Sequence, residues 1–114
     1  MTQSEFRRIA LSLPATSEGA HMDHPDFRVQ GKIFATVGYP NGAWGMVKLT
    51  AEQQQEFVDT EPAVFVPVKG GWGRQGATGV RLLSAKKSTL RAALTAAWRN
   101  RAPKALAQEW ESRL

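Results

Sequence analysis

Two histidines and two aspartates fall within a span of six residues, and they are the side chains best suited to do chemistry: His21, Asp23, His24 and Asp26. Imidazole nitrogens and carboxylate oxygens bind borderline metal ions, and a histidine also exchanges a proton near neutral pH. Along an extended strand His21 and Asp23 point one way and His24 the other, so the group converges only if the segment turns. Ordinary loop polarity is the favoured interpretation. An enzyme or metal site that uses His21 or His24 is the third hypothesis for function.

The other patterns that carry catalytic or cofactor chemistry are absent or incomplete. The stretch GWGRQG, from Gly71 to Gly76, matches the dinucleotide fingerprint G-x-G-x-x-G. That fingerprint needs its last glycine to open a helix and an acid about 20 residues later, whereas here a strand is expected and the next acid is Glu109. The chain has no cysteine, which removes thiolate nucleophiles, disulfides and cysteine-bound zinc. We therefore predict no enzymatic activity, no catalytic residue, no cofactor and no metal ligand.

Positive charge is concentrated in the second half of the sequence. Residues 1–61 hold eight acids and five bases, whereas residues 62–108 hold nine bases and no acid, and the net charge is +5. An acid-free basic run of this length is typical of a surface that binds a polyanion, and solvated charge kept for solubility is the alternative. The acids Glu52, Glu56 and Asp59 are spaced as one stripe of a helix, and we interpret them as a solvated helix face.

Hydrophobic spacing and turn residues divide the chain into the elements that must position these side chains. The predicted helices begin at Ser4, Thr50, Ser88 and Pro103, and the first three take Ser4, Thr50 and Ser88 as caps. Residues 15–25 are predicted to be a loop, and residues 27–49 a three-stranded meander. Residues 63–68 are expected to form an edge strand or extended connection, residues 70–79 a flexible glycine-rich loop, and residues 80–82 a strand. This order predicts one α+β domain over residues 1–114, an antiparallel sheet with helices packed on one face.

Four segments resemble the signature of the MmcQ/YjbR family, in the order in which that family carries them. They are His24 to Thr36, Gly45 to Leu49, Pro67 with Gly71 to Arg74, and Ala97 to Lys104. The resemblance covers nearly the whole chain and implies a frataxin-like (CyaY-like) fold. It also implies DNA binding, since members of this family are commonly described as DNA-binding proteins with a double-wing arrangement. Many relatives carry an aromatic residue near the position of Ala77, which this chain lacks.

Strand alternation sorts the side chains of the predicted sheet onto two faces. If Ile33, Ala35 and Val37 face the helices, their neighbours face outward. The open face is then predicted to carry cations and aromatic rings: Arg28, Lys32, Phe34, Trp44, Lys48 and Arg81. Cations pair with phosphates while aromatic rings stack on exposed bases, which is how sheet platforms bind single strands. The alternative is that the aromatic side chains make cross-strand contacts or lie under a loop.

A second arrangement places the binding residues on the glycine-rich loop. Lys69, Trp72 and Arg74 would form a wing, with Lys86 and Lys87 beside it, and together they would grip the phosphates of a duplex. A mobile surface loop without function is the alternative. Either arrangement predicts contacts to about four to six phosphates.

The sequence therefore predicts a non-enzymatic nucleic-acid-binding module, with DNA as the expected polymer. A protein-binding or small-ligand-binding adaptor that uses the glycine-rich loop and the open sheet face is the second hypothesis. Hydrophobic residues make up 42% of the chain and charged residues 22%, values typical of globular proteins, which excludes disordered and fibrous classes. No leader and no apolar run of about 18 residues is present, so we expect a cytoplasmic protein without membrane contact, and a monomer is favoured.

Overall fold

Apolar side chains recur every three or four residues in α1 and α4 and alternate with outward-facing residues in β4, and this patterning sets much of the observed architecture. The computed structural model describes residues 1–113, without the side chain of His21. In chain order the elements are α1 (Gln3–Leu11), β1 (Thr16–His21), β2 (His24–Val29), β3 (Lys32–Val37), β4 (Trp44–Lys48), α2 (Ala51–Thr60), β5 (Phe65–Pro67), α3 (Gly71–Arg74), β6 (Ala77–Arg81), a 3-10 turn (Leu82–Ser84), α4 (Lys87–Arg101) and α5 (Lys104–Ser112). The six strands form one antiparallel sheet in the order β1-β2-β3-β4-β6-β5, which confirms the predicted α+β class.

The hydrophobic core lies between the sheet and helices α1 and α4. Phe6 and Ala10 of α1 and Leu94 and Trp98 of α4 are fully buried against the strands. The indole nitrogen of Trp98 donates a hydrogen bond to the carbonyl oxygen of Pro14 at 3.0 Å, so the largest core side chain also satisfies its polar atom. Helix α2 packs on the edge strand β5.

The helix starts agree with the sequence at two positions and differ at two. Thr50 caps α2 in a capping box with Gln53, as predicted, and α5 begins within one residue of the predicted start, with Pro103 as its N-cap. Helix α1 is capped by Thr2 in a box with Glu5, so the assignment of the cap to Ser4 is wrong. The cap assigned to Ser88 is also wrong, because Lys86 is the N-cap of α4 and makes no side-chain capping bond.

An edge strand, β1, replaces the loop predicted over residues 15–25. It pairs with β2 along its whole length, and the two strands join through a tight turn at Met22 and Asp23, where φ is 51° and 66°. Both residues have a left-handed backbone conformation, which is required by the type of two-residue turn that matches the twist of the strands. The strand is small and polar because it lies at the edge of the sheet, so the alternation that marks a strand is missing. The meander has four strands.

A β-bulge in β3 overturns part of the predicted assignment of faces. Phe27 pairs with Ala35, but the next residue of β2, Arg28, pairs with Ile33, so Phe34 is an extra residue on its strand. Phe34 is fully buried in the core, and Ile33 shares the outer face with Arg28. The predictions of an outward Phe34 and an inward Ile33 are therefore wrong. The prediction that Lys32 lies on the open face is also wrong. Lys32 pairs with the buried Val29, so it lies on the face that the helices cover, at the edge of that face where it is exposed to solvent.

The glycine-rich segment is a packed turn around the short helix α3 rather than the predicted loop. A Cβ atom at Gly73 would lie 1.6 Å from the carbonyl oxygen of Val68, and one at Gly76 would lie 1.8 Å from that of Leu49. The glycines let these backbones approach closely. The side-chain amide of Gln54 on α2 donates to the carbonyl oxygens of Gly73 (2.9 Å) and Ala77 (3.0 Å), which ties the segment to the helix layer. The strand predicted over residues 80–82 begins earlier and ends at Arg81.

Candidate nucleic-acid interface

The predicted binding residues divide between two ends of the sheet. Strand β4 ends where β6 begins, because Lys48 pairs with Ala77, and the amide of Val68 donates to the carbonyl oxygen of Ala77 at 3.0 Å. Lys69 directly follows Val68, and α3 directly precedes β6. We call the surface made by Lys48, Lys69, Trp72, Arg74 and Arg101 the basic end. The other end of the sheet carries the start of β4 and the end of β6, with Trp44 and Arg81.

Arg101 joins the basic end through the last turn of α4. The side-chain amide of Asn100 donates to the carbonyl oxygen of Lys48 at 3.2 Å and to Oε1 of Gln53 at 2.7 Å, which fixes the end of α4 beside the end of β4. Partial burial and, after it, the positive charge of Arg101 lower the pKa of Lys48 below its usual value. The sequence suggests only that Arg101 offsets the helix dipole, because Lys48 and Arg101 are far apart along the chain.

Trp72 is the aromatic side chain of the basic end. It is 70% exposed, and it lies in α3 between Lys69 and Arg74, both of which are exposed as well. The packed glycines and the Gln54 amide hold the backbone beneath it. An exposed indole on a fixed backbone, with a cation on each side in the sequence, is suited to stack on a base while the cations meet phosphates.

Arg28 is used within the fold rather than offered to a ligand. Its Nε atom lies 2.8 Å from Oδ1 of Asp26 and its Nη2 atom 3.0 Å from Oδ2, a bidentate pair along one strand. Asp26 is fully buried. A Cβ atom on Gly19, across from Asp26 on β1, would lie 2.9 Å from the carboxylate, so the absence of a side chain there makes room for the pair. The Asp26 carboxylate raises the pKa of Arg28, chiefly through their hydrogen bonds.

The open face near Trp44 is also engaged by contacts within the chain. Trp44 pairs directly with Arg81 across β4 and β6, and the guanidinium carbon lies 5.2 Å from the centre of the indole ring. The same ring lies over Gly79, where a Cβ atom would be 3.2 Å from two of its carbons. These contacts correspond to the cross-strand alternative. The stacking platform predicted for the open face is therefore incomplete. Phe34 is buried in the core, and the ring of Trp44 already contacts Arg81.

Lys86 and Lys87 lie away from the glycine-rich segment, and the prediction that they lie beside it is wrong. Strand β6 carries the chain from α3 to the opposite end of the sheet, and both lysines follow that end. Lys87 approaches Glu5 of α1, with 3.5 Å between Nζ and Oε2. The wing predicted from the sequence therefore keeps Lys69, Trp72 and Arg74 and loses these two lysines.

The segment of histidines and aspartates does turn, yet the described side chains of His24 and Asp26 contact separate partners. His21 and His24 are paired residues flanking the turn, and the side chain of His21 lies outside the described part of the structure. The ring of His24 contacts Tyr39 edge-on, with 5.3 Å between ring centres. Asp26 is bonded to Arg28. Among the side chains that the structure describes, no three histidines, cysteines, aspartates or glutamates come together as a metal site.

Comparisons with known proteins identify a family and a structure with a similar fold. The family model described as YjbR matches residues 11–100 of the chain. The crystal structure of the Deinococcus radiodurans protein DR2400, described with a DUF419 domain, is similar with a TM-score of 0.72 and 17% sequence identity, over 96% of this chain and 88% of that one. No curated protein matches the sequence. Within residues 1–113, no helix is both long enough and apolar enough to cross a bilayer.

Proposed function

We propose that the chain, which belongs to the YjbR family, is a nucleic-acid-binding module that holds the phosphate backbone at its basic end. The function needs positive side chains gathered on one accessible surface. The proposal is supported by the cations that four separate segments contribute at one end of the sheet: Lys48 of β4, Lys69 after β5, Arg74 of α3 and Arg101 of α4. We expect non-specific contacts to the backbone rather than readout of base edges.

The observation that carries the proposal is that the cations at the basic end make no ion pair in the described structure, whereas five other bases of the chain do. Bases such as Lys86 and Arg91 are also unpaired among the described residues, but they lie outside this surface. The acids that pair with a base in the described structure pair with bases other than these four, although one such base, Arg99, lies two residues before Arg101 on α4. These pairs are Glu5 with Lys87, Glu18 with Arg7, Asp26 with Arg28, Glu109 with Arg113 and Glu111 with Arg99. No ion pair that the structure describes includes Lys48, Lys69, Arg74 or Arg101. Their charges therefore remain available to displace the counterions of a polyanion.

The exposed indole of Trp72 favours single strands over duplexes. A base in a single strand presents its flat face to an aromatic ring, whereas the bases of a duplex are already stacked. Four phosphate contacts on a single strand correspond to a slope of about −3 for the logarithm of the binding constant against the logarithm of salt concentration. Binding is expected to be weak and tolerant of sequence.

Fluorescence anisotropy with a labelled single strand and the matching duplex, both at low salt, tests the proposal. We expect saturable binding of both polymers, tighter binding of the single strand, and a preference that Trp72→Ala reduces. Absence of binding to either polymer would overturn the proposal and leave the adaptor hypothesis in its place. If the wild type and Trp72→Ala both bind the single strand and the duplex equally well, the cations keep their proposed role in binding, but the proposed stacking of Trp72 on a base is contradicted.

A further inference from the structure

A groove of about 480 Å³ runs between α2 and α4, and none of the cations of the basic end lines it, although its Gln53 end adjoins that surface through Asn100. Its volume falls in the usual range for sites that bind small molecules. Phe57, Ala92 and Ala96 give it an apolar lining, because two small side chains of α4 face an aromatic one of α2. The ring of Phe57 packs on Phe65 with 5.0 Å between ring centres, so one wall of the groove is fixed from behind.

Hydrogen bonds between the two helices mark both ends of the groove. At one end Asn100 donates to Oε1 of Gln53 at 2.7 Å, and at the other the hydroxyl of Thr89 lies 3.3 Å from Oε1 of Glu61. Gln53 and Glu61 are eight residues apart, which corresponds to about 12 Å along the axis of α2. A docked helix of ordinary length is longer than this. The groove therefore suits a short molecule rather than a helical segment of a partner.

The charged groups that line the groove are both carboxylates, those of Glu56 and Glu61. Glu56 lies on α2 and Glu61 is the C-cap of that helix, five residues later and about 7.5 Å farther along its axis. No lysine, arginine or histidine is among the described lining residues, although the chain carries a net charge of +5. An apolar lining with a carboxylate at two points matches an apolar body with a positive charge at each end.

We propose that this groove binds a short aliphatic diamine, with the methylene chain against Phe57 and Ala92 and an ammonium group at each of Glu56 and Glu61. The inference is independent of the nucleic-acid function, because neither carboxylate belongs to the basic end. Methylene groups leave water for an apolar wall, and each ammonium replaces water by a carboxylate. A neutral diol of the same length lacks the second contribution.

Titration of the 15N-labelled protein with 1,5-diaminopentane, followed by amide chemical shifts, tests the proposal. Shifts are expected to saturate and to cluster on α2 and α4 around the groove. 1,5-Pentanediol is the matched neutral probe and is expected to bind more weakly. Equal responses to the diol and the diamine, or shifts spread over all acidic surfaces, would overturn the proposal.

Three variants complete the test. Glu56→Gln is expected to weaken diamine binding about fivefold, the upper range for a solvent-accessible ion pair. Ala92→Leu, at an exposed position of α4, fills the groove and is expected to abolish saturation. Glu52→Gln removes a carboxylate from the same helix outside the groove and serves as the control, with an unchanged dissociation constant expected. The spectrum of each variant without ligand reports whether the fold is intact. Equal losses in Glu52→Gln and Glu56→Gln would show general charge attraction and contradict the site.

Discussion

Arg28 donates hydrogen bonds from Nε and Nη2 to the two carboxylate oxygens of Asp26, which is fully buried two residues earlier on the same strand. The pair lies beside Gly19 of the edge strand, whose missing side chain leaves the space. One cation predicted to meet phosphate is thus committed to the fold. This finding distinguishes Arg28, whose charge is paired within the fold, from the cations of the basic end, which make no ion pair in the described structure.

Arg28→Ala should therefore lower stability without changing nucleic-acid affinity. The substitution removes two charge-assisted hydrogen bonds from a buried carboxylate, which is costly because the carboxylate stays away from water. Thermal unfolding should show a melting temperature lower by several degrees, and anisotropy should show an unchanged dissociation constant at temperatures where the variant is folded. Lys69→Ala should instead leave the melting temperature unchanged and raise the dissociation constant for nucleic acid. A loss of affinity in Arg28→Ala with unchanged stability would place Arg28 in the binding surface instead.

Phe34→Ala and Trp72→Ala should differ sharply in their effect on stability. Phe34 is fully buried in the core, so its truncation should reduce the free energy of unfolding by about 3–5 kcal/mol. Trp72 is 70% exposed, and its truncation should cost less than about 0.5 kcal/mol. Urea denaturation of both variants measures the difference. A small loss for Phe34→Ala would mean that the bulge in β3 does not turn this ring into the core.

Gly76→Ala should destabilise the protein more than Gly31→Ala. Both glycines have a positive φ, 106° at Gly76 and 77° at Gly31, so an alanine at either position carries a left-handed penalty of about 1–2 kcal/mol. A Cβ atom at Gly31 would have nothing within 4 Å, whereas one at Gly76 would collide with the carbonyl of Leu49. Denaturation of the two variants isolates the cost of the collision. Equal losses would contradict the close packing of the glycine-rich segment.

Glu5 should make stability depend on pH in the acid range. The hydrogen bond from the backbone amide of Thr2 is the largest cause that lowers the pKa of Glu5 below 4.5, and the charge of Lys87 adds to it. Because the folded protein holds the lower pKa, the stabilising contribution is present above the unfolded value and is lost as the pH falls through the folded value. Melting temperatures of the wild type and Glu5→Gln should therefore differ at pH 7 and converge below pH 4.5. A difference that persists in acid would assign the effect to something other than the charge.

The sequence predicts the elements whose own residues determine them. Thr50 with Gln53 marks the start of α2, and the spacing of Leu90, Ala93, Leu94, Ala97 and Trp98 marks the buried stripe of α4. Alternation assigns the faces of β3 wrongly because it assumes an unbroken ladder, whereas the extra residue at Phe34 depends on pairing with a neighbouring strand. Hydrophobic patterning does not reveal the edge strand β1, because an edge strand needs no apolar alternation.

The candidate site was predictable only in part for a related reason. Lys69, Trp72 and Arg74 are adjacent in sequence, and their shared position follows from that alone. Arg101 reaches Lys48 only because α4 crosses the sheet and ends there, a relationship between residues distant along the chain. Lys86 and Lys87 do not lie beside the glycine-rich segment, because β6 runs between α3 and these lysines from one end of the sheet to the other.

The measurement that tests the central claim most directly is the salt dependence of single-strand binding for two charge-matched double variants. Lys69→Gln with Arg74→Gln removes two cations from the basic end, and Lys86→Gln with Arg91→Gln removes the same two residue types elsewhere. The first should weaken binding at low salt and reduce the magnitude of the salt slope by about 1.4, while the second should leave the slope unchanged. Equal effects of the two double variants would show that net charge alone attracts the polymer, and would contradict a binding surface at the basic end.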